Sequence, residues 1–226
     1  MGKALFITGT GTDIGKTYVT GLIVKKLVDA GLRAGYYKAA LSGAETLADG
    51  TLLPGDALHV AQIAGLAAED ASVSYIYRDA VSPHLAAQIE NRPMDFNKVE
   101  QDFKQAQERT DYLTVEGSGG IICPLRWDDV EHVVLDDLVL RLGLSALVVA
   151  DAGLGTINAA VLTAEHLRMR GISLKGFIFN NWQGGTMQED NVRMVEALTG
   201  APVLACVEHG AVELPMAADA LAALYD

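Results

Sequence analysis

Apolar residues in this chain fall into two alternating patterns: short unbroken runs, and longer stretches carrying a single apolar stripe. Ala4-Leu5-Phe6-Ile7, Tyr112-Leu113-Thr114-Val115, Ala146-Leu147-Val148-Val149-Ala150 and Phe177-Ile178-Phe179 are runs of the first kind. Their length and lack of polar alternation predict strands covered on both faces. Shorter strands are predicted at Arg33–Tyr37, Ser72–Tyr77 and Val203–Ala205. Helices are predicted over Tyr18–Leu27, Asp56–Ala64, Asp95–Arg109, Thr156–Arg170 and Gln188–Leu198, and one starting at Ser82-Pro83-His84. Within Asp95–Arg109, the residues Phe96, Val99, Phe103 and Ala106 share one helical face. Residues 38–55, rich in Gly, Ser, Thr and Asp, read as a loop. Gly117-Ser118-Gly119-Gly120 reads as ending its strand just after Glu116. Strands that alternate with helices indicate a single-domain α/β fold over residues 1–226, with a mostly parallel central sheet flanked by helices on both faces.

Half of the 226 residues are hydrophobic, enough for a sizeable core, and the net charge is −12. That acidity argues against nucleic acid or an anionic membrane as a general partner, since both require a basic surface. Cys123 and Cys206 lie far apart without metal or redox spacing, and their apolar surroundings predict buried thiols in a reducing compartment. No leader-like start and no membrane-length apolar segment is visible, so a soluble cytoplasmic protein is expected. The histidines show no metal-ligand pairing, and no zinc site is expected.

The strongest chemical signal follows the first strand: Gly9-Thr10-Gly11-Thr12-Asp13-Ile14-Gly15-Lys16-Thr17, leading directly into a helix. Backbone N–H groups of such a loop and the positive end of the helix dipole face an anion. Lys16 would reach β- and γ-phosphates, and the Thr17 hydroxyl would bind Mg²⁺. Strict spacing wants glycine where Thr10 stands, so the motif departs from its usual form by one residue. The context still indicates a P-loop NTPase fold.

Other polar residues cluster at predicted strand ends, where ligands gather in parallel sheets. Glu116 suits a Mg²⁺ ligand or a solvated glutamate before a turn. Asp56 reads equally as a helix cap or a second metal ligand. Lys38 would neutralise charge during phosphoryl transfer or position an acidic substrate; the alternative is a strand-end lysine reaching water. Gly153-Leu154-Gly155-Thr156-Ile157-Asn158 is either an anion-binding helix start or a plain turn capped by Thr156. Asn180 reads as an adenine contact or a turn residue, and His84 as a partly buried hydrogen-bonding group.

Taken together, these residues resemble the dethiobiotin synthetase family. The matching segments are Thr8–Thr17, Tyr37-Lys38 with Ser42-Gly43, Gly55-Asp56-Ala57, Ser82-Pro83-His84, Val115–Gly120, Leu154–Asn158 and Asn180, in the family's order. The resemblance implies a cyclo-ligase acting on 7,8-diaminopelargonic acid, CO₂ and ATP with Mg²⁺. A carbamate and then a carbamic-phosphoric anhydride lead to a cyclic urea, ADP and phosphate. Lys16 and Lys38 would be catalytic. Gly11, Thr12, Asp13, Ile14, Gly15, Lys16, Thr17, Glu116, Gly119 and Asn180 would bind ATP, and Thr17, Asp56 and Glu116 would hold Mg²⁺. Thr12, Lys38 and Ser42 would contact the substrate's reactive end. Gly155, Thr156, Ile157 and Asn158 would receive its carboxylate from the partner subunit, which implies a homodimer.

Two departures stand out. Ala39 replaces the family's proline after the second lysine, and Ala205–Gly210 lacks the family's Gly-x-Ile-Pro turn near the base. The competing class is an ATPase switch of the partitioning or metal-cluster-carrier type. Those proteins place a lysine five residues before the Gly-Lys lysine, where this chain has Gly11.

Overall fold

A computed structural model describes residues 1–226. The chain runs β1 (Lys3–Gly9), α1 (Lys16–Asp29), β2 (Ala34–Leu41), a two-stranded ribbon β3 (Glu45–Thr46) and β4 (Leu52–Leu53), and α2 (Gly55–Ala64). It continues through β5 (Ala71–Ile76), α3 (Pro83–Ile89), α4 (Phe96–Arg109) and β6 (Tyr112–Gly120). A hairpin, β7 (Pro124–Trp127) and β8 (His132–Val134), precedes α5 (Leu135–Leu142). Then come β9 (Ala146–Asp151), α6 (Thr156–Met169), β10 (Leu174–Trp182), α7 (Thr186–Thr199), β11 (Val203–Glu208) and α8 (Ala218–Ala222).

Seven strands form one sheet in the order β11-β10-β9-β1-β6-β2-β5. Every neighbouring pair is parallel. The apolar runs occupy its centre because each residue there is covered from both sides: β1 is buried from Ala4 to Gly9. One face packs under α1, α2 and α8 through residues such as Ile7, Leu22, Val60 and Leu221. The other packs under α3 to α7 through Phe6, Phe103, Leu138, Leu167 and Val195. The stripe on α4 is buried as its spacing requires, and Asp95 caps that helix by accepting from the Asn97 N–H at 2.9 Å.

Three expectations need correction. The glycines after Glu116 do not end the strand, because β6 runs on to Gly120. A Cβ at Gly117 would stand 2.7 Å from Phe6 and 2.8 Å from Leu135, so glycine serves close packing there, not a turn. The stretch 38–55 is not all loop, since β2 continues to Leu41 and the β3–β4 ribbon follows. Cys123 lies between β6 and β7, and both free thiols are half-buried where buried thiols are expected from the sequence. No helix is long and apolar enough to cross a membrane.

Candidate active site

Strand order brings three chemical groups together. β1 delivers the glycine-rich loop, and its neighbour β6 and the next strand β2 carry Glu116 and Lys38, which are register partners. Adjacent residues in register on parallel strands point to the same face, so a lysine and a carboxylate meet without any loop to position them.

The loop itself is prepared for an anion. Gly15 adopts a left-handed backbone (φ 80°) just before α1, and that helix start has no side-chain cap and no acidic residue in its first turn. Its free N–H groups and dipole therefore face outward at Lys16. A Cβ at Gly15 would fall 2.2 Å from the Asn180 amide, which donates to the Ile14 carbonyl at 2.9 Å. Asn180 is thus not a turn residue. It lies within β10 and holds the loop, and its Oδ1 is buried without a partner.

Glu116 is almost fully buried and organises the centre. Its Oε1 accepts from the Thr17 hydroxyl and from Lys38 Nζ, each at 2.8 Å. Lys38 Nζ also donates to Asp56 Oδ2 at 2.5 Å. Lys38 therefore does not reach out to water, and Asp56 does not cap α2, whose N-cap is Pro54 without a side-chain bond. Burial alone would pull the Lys38 ammonium down, but the charges and hydrogen bonds of Glu116 and Asp56 outweigh it and hold it above its ordinary value. Burial lowers Lys16, with Lys38 adding to the effect and Glu116 and Asp56 only partly offsetting it.

A cavity of about 410 Å³ opens over this centre, lined by Thr12, Asp13, Lys16, Thr17, Lys38, Ser42, Asp56 and Gly119. A second cavity of about 650 Å³ shares Thr12, Asp13, Ser42 and Gly119, and extends past Val81, Pro83 and Cys123. Gly11 and Ile14 shape the loop but line neither space, and residues 155–158 also stand outside both. Thr156 does not cap α6: the N-cap is Gly155, and the Thr156 hydroxyl is buried without a partner. The Ser82 hydroxyl meets His84 Nδ1 at 3.0 Å, the local role expected of that histidine.

Sequence reasoning overlooked Tyr36 and Ser118. The buried Tyr36 hydroxyl donates to Glu116 Oε2 at 3.3 Å; burial first, then the Glu116 charge, pushes it well above its usual range. Ser118 lines both cavities and donates to the Ala40 carbonyl at 2.8 Å. The signal was available, since Tyr36 and Ser118 stand two residues from Lys38 and Glu116 and so share their faces. His59, one turn beyond Asp56 on α2, and Tyr18 also border the first cavity. The Tyr18 hydroxyl donates to the Ala211 carbonyl, tying α1 to the segment after β11.

Thr17, Asp56 and Glu116 form a set of oxygen donors around Lys38 Nζ, and no group of three His, Cys, Asp or Glu side chains is placed to hold a metal. That set fits Mg²⁺, which takes one or two carboxylates and completes its shell with phosphate oxygens and water.

A strand, an anion-ready loop and an uncapped helix start at the carboxyl edge of a parallel sheet define a P-loop nucleotide-binding protein. The family model described as an AAA domain matches residues 3–212. An ATP-dependent dethiobiotin synthetase of Brachyspira hyodysenteriae is 47% identical over 95% of this chain and 96% of its own. One from Clostridium botulinum is 47% identical over 91% of each. The chain belongs to the dethiobiotin synthetase family. Among solved structures, the MinC:MinD cell division complex of Aquifex aeolicus is similar with a TM-score of 0.56. That similarity covers 98% of this chain and 86% of the other at 14% identity, and shows the fold alone.

Proposed function

We propose that this chain is an ATP-dependent dethiobiotin synthetase, closing a cyclic urea from 7,8-diaminopelargonic acid and CO₂ with release of ADP and phosphate. The observation that carries this reading is Lys38, held by Glu116 and Asp56 in the cavity beside the phosphate loop, whose wall at Thr12 and Ser42 is shared with a second cavity. A nucleotide switch needs the phosphate loop alone. A ligase needs a cation that can face both a transferring phosphoryl group and a second substrate.

In the first step a substrate amine adds to CO₂, forming an N–C bond and losing a proton to give a carbamate. A carbamate oxygen then attacks the γ-phosphorus, and the bond to ADP breaks. The second amine attacks the carbonyl carbon of the mixed anhydride and expels phosphate. Lys16 and the free N–H groups of α1 stabilise the phosphoryl charge, while Lys38 neutralises the carbamate as the two anions approach. Thr12 and Ser42, on the wall common to both cavities, orient the reactive end. Thr17, Asp56 and Glu116 would hold Mg²⁺, which supplies charge neutralisation at the phosphates.

The unpartnered buried Oδ1 of Asn180 supports its role as acceptor for the adenine amino group. The Gly155–Asn158 helix start, with its uncapped N–H groups and unpartnered Thr156 hydroxyl, suits a substrate carboxylate. It lies outside both cavities of its own chain, and the family resemblance implies that it serves the partner's site in a homodimer. The two free thiols agree with a cytoplasmic setting.

The test is phosphate release from ATP by purified protein. Release is expected only when diaminopelargonate and bicarbonate are both present, with dethiobiotin as the carbon product. Phosphate release indifferent to the diamine would overturn the ligase reading.

A further inference from the structure

The helix start assigned above to the substrate carboxylate is not held in place by its own side chains. Gly155 gives α6 no side-chain cap, and Leu154 before it is 92% exposed. The turn from β9 into α6 is instead gripped from two other elements. Asp151 accepts the Gly153 N–H on Oδ1 at 2.7 Å and the Asn181 amide on Oδ2 at 2.6 Å. From α7, the buried Asn191 amide donates to the carbonyls of Ala152 and Gly153 at 3.0 and 3.2 Å. Gly153 in turn accepts the Thr156 N–H at 3.3 Å, so the grip passes into the first turn of the helix.

Asn181 reaches Asp151 because its backbone is left-handed (φ 58°), a conformation few residues other than glycine, asparagine and aspartate adopt readily. Its neighbour Asn180 holds the phosphate loop at Ile14. Two consecutive asparagines at the end of β10 thus fasten the nucleotide loop on one side and the α6 start on the other.

We propose that Asn181 and Asp151, backed by Asn191, are positioning residues for the substrate carboxylate: their hydrogen bonds fix the α6 start at the place where it meets the diamine acid. This inference rests on the functional reading above. Asn180 fastens the phosphate loop through its own side chain, while its carbonyl accepts the Ala152 N–H at 2.8 Å, so loss of the Asn181–Asp151 bond falls mainly on the acid-binding end.

Exchanging the partners tests it. Asn181→Asp alone sets two carboxylates face to face. Asn181→Asp with Asp151→Asn restores the bond between the two side chains with reversed polarity: the new amide donates to residue 181 while its oxygen keeps the Gly153 N–H. The measurements are KM for diaminopelargonate and for ATP, kcat, and hydrogen exchange of the amides of residues 153–158. Asn181→Asp is expected to raise the diamine KM at least tenfold, with ATP KM and kcat within about twofold, and to speed exchange at 153–158. The exchanged pair should recover most of both losses. The inference is overturned if the diamine KM is unmoved, if ATP KM rises in parallel, or if the exchanged pair rescues neither readout. Wild-type protein that does not turn over the diamine at all overturns the functional reading and removes the substrate from the inference. The exchange data would then still decide whether the bracket holds the helix start.

Discussion

Replacing Lys38 with methionine keeps most of the length of the side chain and removes its charge. The structure sets the size of the effect. Glu116 and Lys38 side chains are 0% and 6% exposed, while Asp56 is 36% exposed. Removing one partner of a buried ion pair costs about 3–5 kcal/mol, mostly from the charge left behind. Glu116 would keep two hydroxyl donors, Thr17 at 2.8 Å and Tyr36 at 3.3 Å. Asp56 can turn toward water. Both features place the loss at the low end, about 3 kcal/mol. For a chain of this size that corresponds to a fall in Tm of roughly 6–12 °C.

The assay is thermal and urea unfolding of wild type and Lys38→Met, with and without Mg²⁺ and without nucleotide. Mg²⁺ should stabilise the variant more than the parent, because the ion and the ammonium neutralise the same two carboxylates. A second arm adds Glu116→Gln to the methionine variant. With the stranded charge gone, the double variant should be more stable than Lys38→Met alone, the non-additivity expected of groups in contact. A fall in Tm below about 2 °C, or a double variant no better than the single, would refute the account of Lys38 as the counter-charge of a buried carboxylate.

Lys38→Ala should leave ATP affinity within about threefold and abolish dethiobiotin formation, since other groups hold the nucleotide and this one faces the phosphoryl transfer; lost affinity with persistent turnover at saturating ATP contradicts the assigned role. Arg170→Gln should cost about 1–3 kcal/mol at neutral pH by depriving the buried Asp136 of its 2.7 Å partner. It should also move acid unfolding to higher pH. Burial would lift the Asp137 carboxyl, but Arg170, the Val134 N–H and Arg141 outweigh it and hold it below its ordinary value. Its stabilising contribution is therefore full above the unfolded pKa of about 3.9 and is lost as pH falls through the lower folded value. An acid midpoint unchanged in the variant counts against this.

What the sequence disclosed, and what it hid, follows from how locally each feature is determined. Strands such as Ala146–Ala150 are legible because a segment covered on both faces must be apolar at every position. Residues 121–134 went unassigned because β7 and β8 are three or four residues long and mix Arg126, His132 and apolar groups without a period; α5 was missed although Leu135, Leu138, Val139 and Leu142 recur at helical spacing. Gly117 was misread because a glycine that marks a turn and a glycine that admits Phe6 and Leu135 look the same in one dimension. Lys38, Asp56 and Glu116 were visible as charges at strand and helix ends, but their mutual contact depends on β2 and β6 being neighbours, which no local pattern states. Asn181 was invisible for a further reason: its role needs a left-handed kink and a partner 30 residues away.

Strand register also explains why the departure at Ala39 leaves the Lys38–Glu116 contact in place. Side chains alternate across a strand, so Tyr36 and Lys38 share one face of β2 while Tyr37 and Ala39 share the other. The first face carries the bonds to Glu116. Tyr37 and Ala39 belong instead to the core beneath α4, where Tyr37 meets Phe103 with ring centroids 5.9 Å apart. A change from proline to alanine at 39 is therefore, for the side chain, a packing change on the side away from the phosphate loop; it also gives β2 a backbone N–H that proline lacks. A shift of β2 by a single residue would be another matter, because it would carry Lys38 off Glu116 and bring an apolar side chain onto a buried carboxylate. The pairing of Tyr36 with Thr114 and of Lys38 with Glu116 is thus the structural condition that sets the ammonium on the buried carboxylate.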